Sequence, residues 1–328
     1  THGHVDHVMG MAAIDAAAAL AGAPRPHVIA HHAVAARFAR YRLTAGWNAA
    51  INKRQFRIAA MDWPTQYRYP DQTYHDRHTL EVGGSQIELH HGLGETDDHT
   101  FAWLPAQRAL VTGDLFIWAS PNCGNPQKVQ RFVAEWADAL DTMRTFGAEL
   151  LLPGHGPPIF GADRVDTALA DTSALLRCLH DQVIELMNQG KRLDDILAAV
   201  RIPHELLQRP FLRPIYDDPQ FVLRSLWRRY GGWWDGNPAR LLPPKDAAVA
   251  QVVAELCGSA AALAALAQAK APHDPALSCQ LAEWAWQAAT PADKPAIAAI
   301  RAALYEKRAQ TEPSLMARNI FLSAASER

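Results

Sequence analysis

The sequence predicts an α+β chain in which a part with strands comes first and an all-helical part follows. Two observations support this prediction. Apolar and polar residues alternate with period two between residues 79 and 112, which is typical of antiparallel strands joined by hairpins. From about residue 164, apolar residues instead recur at helical spacing, as Leu175, Leu179 and Val183 do. We therefore expect one domain over residues 1–163 and a second, helical domain over residues 164–328.

Composition narrows the class of protein. With 328 residues, 49% of them hydrophobic, the chain can supply a core for each domain. Its 32 basic and 34 acidic side chains give a net charge of −2, which does not indicate a nucleic-acid partner. Apolar runs fall short of the roughly 20 residues that span a bilayer, so we expect no transmembrane segment. The four cysteines form no CxxC pair, which favours reduced thiols over the alternative of a disulfide.

The opening seven residues contain three histidines and an aspartate at the spacing of metal ligands. In an extended segment alternate side chains share a face, so His2 and His4 can reach one ion together. If a helix begins after His4, then Asp6 and His7 face elsewhere, and a second ion beside the first is their natural partner. Imidazole and carboxylate ligands suit zinc, and also iron or manganese. The alternative is a solvated histidine-rich terminus or tag.

Four segments with local signals precede the alternating region. Residues 9–20 are Ala-rich and predict a helix that ends before Gly22 and Pro24. Residues 27–30 predict a short buried strand, and residues 33–46 a helix with apolar positions on one face. We expect residues 47–78 to be irregular, because they are rich in aromatic residues and proline. They would form either a wall of the active site or an ordinary surface loop.

Two hairpins are expected next, over residues 80–89 and 100–112, followed by an amphipathic helix over 131–147 and a strand over 149–153. This order places Glu95 and Asp114 in loops that follow strands, where a sheet presents a site. His155 follows the last strand in a Gly-His-Gly turn. Between these motifs, Asp97 or His99 could orient a ligand imidazole or act in proton transfer, or could simply be polar loop residues.

Four separated motifs then occur in a familiar order. The opening HxHxDH run is followed by Gly94-Glu95-Thr96, Thr112-Gly113-Asp114 and Gly154-His155. This set resembles the metallo-β-lactamase superfamily, in which most members have histidine where this chain has Glu95. A glutamate there resembles the alkylsulfatase branch. The implied fold is an αββα sandwich, and we expect its N-terminal strands to be absent because the chain begins directly on the motif. Its start at Thr1 indicates a fragment or processed product, so the lack of a signal peptide assigns no compartment.

The helical part carries a second resemblance. The run from Tyr230 to Ala239 and the terminal Ala317 to Leu322 are similar to the dimerisation domain of alkylsulfatases. A homodimer formed through this domain is therefore implied. Within it, residues 246–310 predict three Ala-rich helical pieces of the tetratricopeptide sort. We expect the tryptophans at 227, 233 and 234 to lie in an interface or a core rather than against substrate.

The superfamily resemblance also implies roles for individual residues. It implies one zinc ion held by His2, His4 and Glu95, a second held by Asp6, His7 and His155, and Asp114 bridging both. The catalytic residues implied are Asp114, Asp6 and Asn122. In alkylsulfatases an asparagine and an arginine of one loop hold the sulfate group. Asn122 falls at the asparagine position, whereas the arginine has no counterpart and Lys128 or Arg131 would have to supply the cation.

The function implied is that of a zinc-dependent hydrolase of sulfate monoesters, alkyl sulfates above all, with two zinc ions per chain and a metal-bound hydroxide as nucleophile. The substrate is then a small ester. The same fold hosts other chemistries, so hydrolysis of a phosphoester, thioester or lactone is an alternative. A non-catalytic helical assembly protein with structural metals is another. Structural zinc sites fill every position with protein ligands, and the vacancies expected here favour catalysis.

Overall fold

The structure, a computed structural model, describes residues 1–327 and divides into two compact units. The first comprises residues 1–51 and 61–233, and the second comprises residues 52–60 and the chain from Trp234 onward. The domain boundary at residue 163 remains a prediction. It marks the point at which strands give way to helices, and by compactness the helices that follow directly are still part of the first unit.

The first unit opens with short helices and contains all the strands. In chain order its leading elements are α1 (Val5–Val8), α2 (Met11–Leu20), β1 (Ile29–His31), α3 (Ala33–Leu43), α4 (Ala45–Phe56, which ends in the second unit), β2 (Gln72–Tyr74), β3 (Arg77–Val82), β4 (Ser85–His91), β5 (Thr100–Leu104), β6 (Ala109–Ile117), α5 (Val133–Arg144), β7 (Leu150–His155) and β8 (Ile159–Phe160). The helices α6 (Ala162–Asn188), α7 (Leu193–Ala199), α8 (His204–Gln208) and α9 (Pro219–Gly231) complete it. The predicted strands and helices of residues 79–200 are thus present, with ends that differ by a few residues.

A six-stranded sheet in the order β3-β4-β5-β6-β7-β8 organises this unit. Neighbours are antiparallel except β6 and β7, which run parallel and are connected through α5. A crossover of this kind brings the carboxyl ends of β6 and β7 to the same edge of the sheet. The ladder between them shifts register on both sides of Gly113, next to Asp114. Such irregularities re-aim side chains and are common beside active sites.

Helices α5 and α6 pack against each other, and their apolar faces form the core of the first unit together with the sheet. Trp136 on α5 is fully buried and donates from its indole nitrogen to the carbonyl oxygen of Leu115 on β6 at 2.9 Å. Burial of an aromatic side chain of this size contributes roughly 2–3 kcal/mol, and the hydrogen bond satisfies its one polar atom. The sheet edge that carries Asp114 is therefore anchored from behind.

The expectation of an irregular segment over residues 47–78 is wrong at both ends. Strand β2 and the start of β3 lie in its last seven residues, and α4 is a helix through Phe56. Its buried positions are Asn48, Ile51, Asn52 and Gln55, which recur at helical spacing. Three of these four are polar, so the buried face does not produce an apolar period in the sequence. A search for apolar residues at helical spacing therefore does not detect this helix.

The second unit is helical. After the 3₁₀ turn Pro238–Arg240 come α10 (Asp246–Leu256), α11 (Ala260–Lys270), α12 (Pro275–Ala288), α13 (Lys294–Thr311) and α14 (Leu315–Ser326). The predicted three Ala-rich pieces are in fact four helices. Residues 246–272 break at Gly258, which has a φ of +96°, and at Ser259, whose hydroxyl accepts the Ala262 N–H. Glycine and a serine N-cap are both helix-boundary signals.

The core of the second unit consists of small and branched apolar side chains, with Leu263, Ala264 and Ala285 fully buried. Buried Arg301 lies in the same unit and donates to Glu283 and to the carbonyl oxygen of Ala324, both at 2.7 Å. Among the described residues, no single helix is long and apolar enough to cross a membrane, although the bent pair Asp246–Leu256 and Ala260–Lys270 passes by length and composition alone. The four cysteines are free thiols in the described structure.

Candidate metal centre

The opening segment, the loop after β4 and the strands β6 and β7 bring the seven predicted ligands into two adjacent groups, His2-His4-Glu95-Asp114 and Asp6-His7-His155. The expectation that Asp114 and His155 follow their strands is wrong, because Asp114 lies within β6 and His155 is the last residue of β7. Within each group the potential ligand atoms all lie within 4.8 Å of one another. The chain is extended up to His4, where φ is −69° and ψ is 147°, and α1 begins directly afterwards. This local geometry separates the first two histidines from Asp6 and His7, as the sequence predicts. Coordination by these residues remains a prediction.

The first group is deeply buried. His2 Nε2 lies 2.8 Å from His4 Nδ1, and these two nitrogens lie 3.9 and 3.7 Å from Oε2 of Glu95. Asp114 Oδ2 lies 3.8 Å from His2 Nε2. Only 2% of the surface of His2 and of Glu95 is exposed.

The second group lies at the more open side of the centre. Asp114 turns its other oxygen, Oδ1, toward this group, at 3.2 Å from His7 Nε2 and 3.5 Å from His155 Nε2. Asp6 Oδ2 lies 3.5 Å from the same His7 nitrogen and 3.3 Å from that of His155. The side chains of Asp6 and His155 are both more than half exposed. Asp114 therefore faces both groups with different oxygens, which is the position that a bridging ligand requires.

The residues present fit divalent metal ions. Two ligand atoms bound about 2.0–2.1 Å from one tetrahedral ion lie about 3.3 Å apart. Most of the nitrogen-to-oxygen distances in the two groups are within about half an ångström of that value. Within residues 1–327, His7 Nε2, Glu95 Oε2 and Asp114 Oδ1 are buried without a hydrogen-bond partner. Buried polar atoms left unpaired are costly, and one cation at each of the two groups would satisfy all three.

The electrostatics of the centre are consistent with the same conclusion. Burial lowers the pKa of the His2 and His4 imidazoles well below the usual value, which keeps their nitrogens available as ligands. Burial also raises the pKa of the Glu95 carboxyl to about 8, despite the opposing charge of Arg131. A carboxylate so poorly solvated gains from a nearby divalent charge. For Asp114, burial acts to raise the pKa, but the close approach of the His155 and His7 imidazoles to its carboxylate outweighs burial and the pKa falls.

A second layer of residues fixes the ligands, and part of it could not be identified from the sequence. The ring of His99 stacks on His2 with centroids 4.4 Å apart, and its Nε2 accepts the Asp114 N–H at 3.1 Å. Asp98 accepts the Gly3 N–H at 2.9 Å and pairs with Arg37 Nε at 2.8 Å. The sequence singled out His99 together with Asp97, which also pairs with Arg37 but is half exposed. The polar loop sequence was the available signal, and it did not distinguish Asp97 from its buried neighbour.

The loop after β6 carries Asn122 to Glu95. Asn122 is buried, and its amide nitrogen donates to Oε1 of Glu95, while Arg131 donates to the Glu95 carbonyl oxygen and lies 3.4 Å from its carboxylate. Both residues therefore hold Glu95 in place. Asp217, which no sequence signal pointed to, accepts the Gly124 N–H at 2.6 Å and fixes this loop from the helical side of the same unit.

Close backbone approach shapes the floor of the site. A Cβ atom added at Gly154 would lie 2.0 Å from Asp114 Oδ1, and one at Gly113, where φ is +51°, would lie 2.6 Å from the Thr1 side chain. Glycine is the residue that allows β6 and β7 to come together here, and at Gly113 it also permits the left-handed backbone.

Comparison with known proteins assigns both parts of the chain. Residues 1–155 match the model of the metallo-β-lactamase superfamily, and residues 192–328 match the model of the alkyl sulfatase dimerisation family. The expectation of a metallo-β-lactamase-type domain followed by a helical dimerisation domain is confirmed.

Individual relatives agree with the family models. An (R)-specific secondary-alkylsulfatase of Pseudomonas sp. is 30% identical over all of this chain and 53% of its own length. A linear primary-alkylsulfatase of Pseudomonas sp. (strain ATCC 19151) is 28% identical over 55% of this chain and 35% of its own length. The chain therefore spans about a third to a half of the curated relatives it matches.

Among solved structures, a double mutant of the sec-alkyl sulfatase PisA1 superposes with a TM-score of 0.87 at 25% identity, over 99% of this chain and 55% of that one. The superfamily implies a divalent metal, for which the cluster around Asp114 is the candidate site. From both family models and these relatives, the chain belongs to the metallo-β-lactamase superfamily as an alkylsulfatase-like member.

Proposed function

We propose that the chain forms the catalytic part of a zinc-dependent hydrolase of sulfate monoesters, with alkyl sulfates as substrates. One observation carries the proposal: Asp114 lies between two groups of metal-type ligands and turns a different carboxylate oxygen toward each. The two relatives described above are alkylsulfatases, which supports the choice of sulfate ester. The alternatives of phosphoester, thioester or lactone hydrolysis have no comparable support.

Two zinc ions per chain would be held, one by His2, His4 and Glu95 and the other by Asp6, His7 and His155, with Asp114 shared between them. When bound, zinc lowers the pKa of water toward neutrality and offsets negative charge that develops on oxygen. Three carboxylates offset most of the charge of two divalent ions, which leaves room for an anionic ester. Nitrogen and oxygen ligands without thiolate are compatible with this metal.

The sulfate group would bind beside Glu95. Asn122 is buried next to this carboxylate, and its Oδ1 has no hydrogen-bond partner among the described residues. Arg131 is engaged by Glu95, whereas Lys128 makes no ion pair within the described chain. Burial lowers the pKa of Lys128 to about 8, so it is still mostly protonated at neutral pH. We therefore assign the cation for the sulfate oxygens to Lys128, as a point charge in place of a guanidinium fork.

Asp6 would handle protons at the open side of the centre. Its carboxylate is 54% exposed and contacts His7 and His155 through one oxygen. A carboxylate there can accept a proton from the attacking water, whether the water attacks sulfur or carbon of the ester. The buried side of the centre, around His2, in contrast excludes water and keeps the ligand side chains in position.

We also propose that the protein is a homodimer through the helical domain. The family match over residues 192–328 is to a dimerisation domain, and Leu242 and Leu256 of this region are more than 80% exposed. Exposed large apolar side chains are typical of surfaces that a partner covers. Sedimentation at several concentrations tests this, and a monomer that persists at high concentration would remove the proposal.

The decisive experiment combines metal analysis with one variant and one control. Native protein is expected to hold two zinc ions per chain and to hydrolyse alkyl sulfates, and removal of the metal should abolish turnover. Asp114→Ala should lose both metal and activity while far-UV circular dichroism stays unchanged. Asp62→Ala removes an exposed carboxylate away from the centre and should behave like the native protein.

Three further esters, a phosphate diester, a thioester and a lactone, are assayed beside the alkyl sulfate. Preference for one of these would replace sulfate as the substrate class. Full activity in metal-free protein would remove the metal mechanism, and metal binding without hydrolysis of any ester would favour a structural role for the centre.

A further inference from the structure

A cavity of about 390 Å³ in the first unit opens beside His4. Its walls come from α3, α4, the segment 127–131 and α9. A cavity of this size suits a small organic ligand. Of the seven candidate metal ligands, His4 lies in this lining, so the cavity adjoins the metal centre at that residue.

The lining is strongly and one-sidedly charged. It includes five cations, Arg37, Arg40, Lys128, Arg131 and Arg228, and within the part of the chain that the structure describes it includes no aspartate or glutamate. The remaining lining residues are neutral, among them Tyr41, Trp47 and Ile51. A cleft lined by one sign of charge focuses its field and concentrates ligands of the opposite sign.

Two of the five cations are already neutralised from outside the cavity. Arg37 pairs with Asp97 and Asp98, and Arg131 pairs with Glu95. Lys128 is the cation that we assign to the sulfate group. A sulfate monoester carries a single negative charge on the ester head, and that charge is met by the metal centre and Lys128. These three residues therefore need no further anion.

Arg40 and Arg228 are left over. Within residues 1–327, neither makes an ion pair with a carboxylate. Arg40 is half-buried, and desolvation lowers the pKa of its guanidinium below the usual value. The guanidinium carbon of Arg40 lies 5.7 Å from the centre of the Tyr41 ring. Partial burial of a cation without a carboxylate partner still costs free energy, which an anionic ligand would offset.

The contacts of the five cations distinguish Arg40 and Arg228 from the other three. Arg131 contacts the candidate ligand Glu95, and Arg37 pairs with Asp98, which accepts the Gly3 N–H between two candidate ligands. Exposure marks the open mouth of the cavity: Trp47 and Val129 are at least half exposed and Arg228 is exposed, whereas Arg131 is buried. The apolar and aromatic part of the lining suits an alkyl chain.

We propose that the cavity selects sulfate esters whose far end carries a second anionic group, such as a carboxylate, and that Arg40 and Arg228 bind this group. The proposal rests on the proposed function, since it takes the ester head to lie at the metal centre. Arginine suits the task because its planar fork donates two parallel hydrogen bonds to a carboxylate.

The test compares two alkyl sulfates of equal chain length, one ending in a methyl group and one in a carboxylate, over a series of lengths. The native enzyme should show a higher kcat/KM for the carboxylate-ended ester at the matching length, mainly through a lower KM. Arg40→Gln or Arg228→Gln should reduce that ratio about tenfold, equivalent to about 1.4 kcal/mol, because a charge-assisted hydrogen bond to the far carboxylate is lost. Arg40→Lys, which keeps the charge, should keep part of the preference.

Matched controls lie on the same two helices. Arg42 on α3 and Arg224 on α9 are exposed arginines outside the cavity lining, and their Gln variants should leave the ratio unchanged. Preference for the methyl-ended ester in the native enzyme would overturn the proposal. So would an equal effect of Arg40→Gln on both esters, or loss of the ratio in the control variants.

A binding measurement distinguishes failure of this proposal from failure of the proposed function. Calorimetry on the metal-loaded protein compares an alkane dicarboxylate with the monocarboxylate of the same length, neither of which can be hydrolysed. Tighter binding of the dicarboxylate that is lost in Arg40→Gln supports the second anion site even if no sulfate ester turns over, in which case only the proposed function fails. If alkyl sulfates are hydrolysed but neither the kinetic nor the binding experiment shows a preference for the ligand with two anionic groups, the cavity proposal alone is overturned.

Discussion

Substitution of Gly154 by alanine isolates the role of close packing at the metal centre. The added Cβ would lie 2.0 Å from Asp114 Oδ1, 2.7 Å from the carbonyl carbon of Gly113 and 2.8 Å from the Asp114 nitrogen. Carbon and oxygen atoms in contact normally lie about 3.3 Å apart, so the carboxylate must move by about 1 Å. The backbone contacts cannot be relieved by a side-chain rotation, and β6 and β7 must therefore separate locally.

The expected cost falls mainly on the site. Overpacking of this kind costs about 1–3 kcal/mol of stability, whereas a displacement of about 1 Å at a catalytic group can cost about a hundredfold in rate. The neighbouring ligand His155 moves with the same strand. We therefore expect Gly154→Ala to remain folded, to bind zinc about tenfold or more weakly, and to lose about a hundredfold in kcat/KM on an alkyl sulfate.

Zinc affinity is measured by competition with a chromophoric chelator, folding by circular dichroism, and activity by release of sulfate. Gly46→Ala is the matched control, because nothing lies within 4 Å of a Cβ at that helical position, and it should be neutral or slightly stabilising. Native zinc affinity together with activity within a few-fold of native in Gly154→Ala would refute the reasoning, since it would mean that Asp114 need not occupy its present position.

Three other predictions concern single contacts. His99→Ala leaves the buried Asp114 N–H without an acceptor, and should cost about 1–3 kcal/mol in denaturant unfolding and weaken zinc binding about 10–100-fold; unchanged zinc affinity would contradict this. Burial raises the pKa of Asp217 to about 7, so stability from its protonated form should be lost as pH rises from about 4 to about 7. Asp217→Asn should flatten that dependence, and an unaltered slope would show that another group titrates. Arg301→Leu removes the cation that pairs with Glu283 and leaves that carboxylate with the Tyr305 hydroxyl as a donor. It should cost about 3–5 kcal/mol, and a loss below about 1 kcal/mol would show that the pair is dispensable.

The convergence of the ligand residues could be predicted from the sequence because it depends on local rules. The alternate spacing of His2 and His4 indicates one face of an extended segment, and the helix after His4 turns Asp6 away from it. Glu95 follows β4, and Asp114 and His155 lie in the C-terminal halves of β6 and β7, which meet at one edge of the sheet. These inferences need only the period of the backbone and the order of the motifs.

The groups that support the ligands could not be predicted in the same way. Arg37 pairs with Asp98 across roughly sixty residues, and Asp217 reaches Gly124 across more than ninety, so neither contact leaves a local pattern. Helix α4 escaped detection because its buried side is largely polar. These ion pairs, hydrogen bonds and buried polar positions depend on contacts made only in the folded chain, and the helix or strand propensity of the residues does not indicate them.

The close packing of the loop that carries Asn122 against α9 has a practical consequence. A Cβ at Gly124 would lie 2.2 Å from the backbone nitrogen of Val222, so the loop that carries Asn122 rests directly on the first turn of that helix. A chain shortened after residue 163, to isolate the metal-binding half, would retain every ligand of the centre. It would lack α9, on which the loop that carries Asn122 packs. Such a shortened hydrolase would then bind zinc but bind its ester substrate weakly. Engineering of substrate preference should therefore begin at the contact between this loop and α9 rather than at the metal ligands.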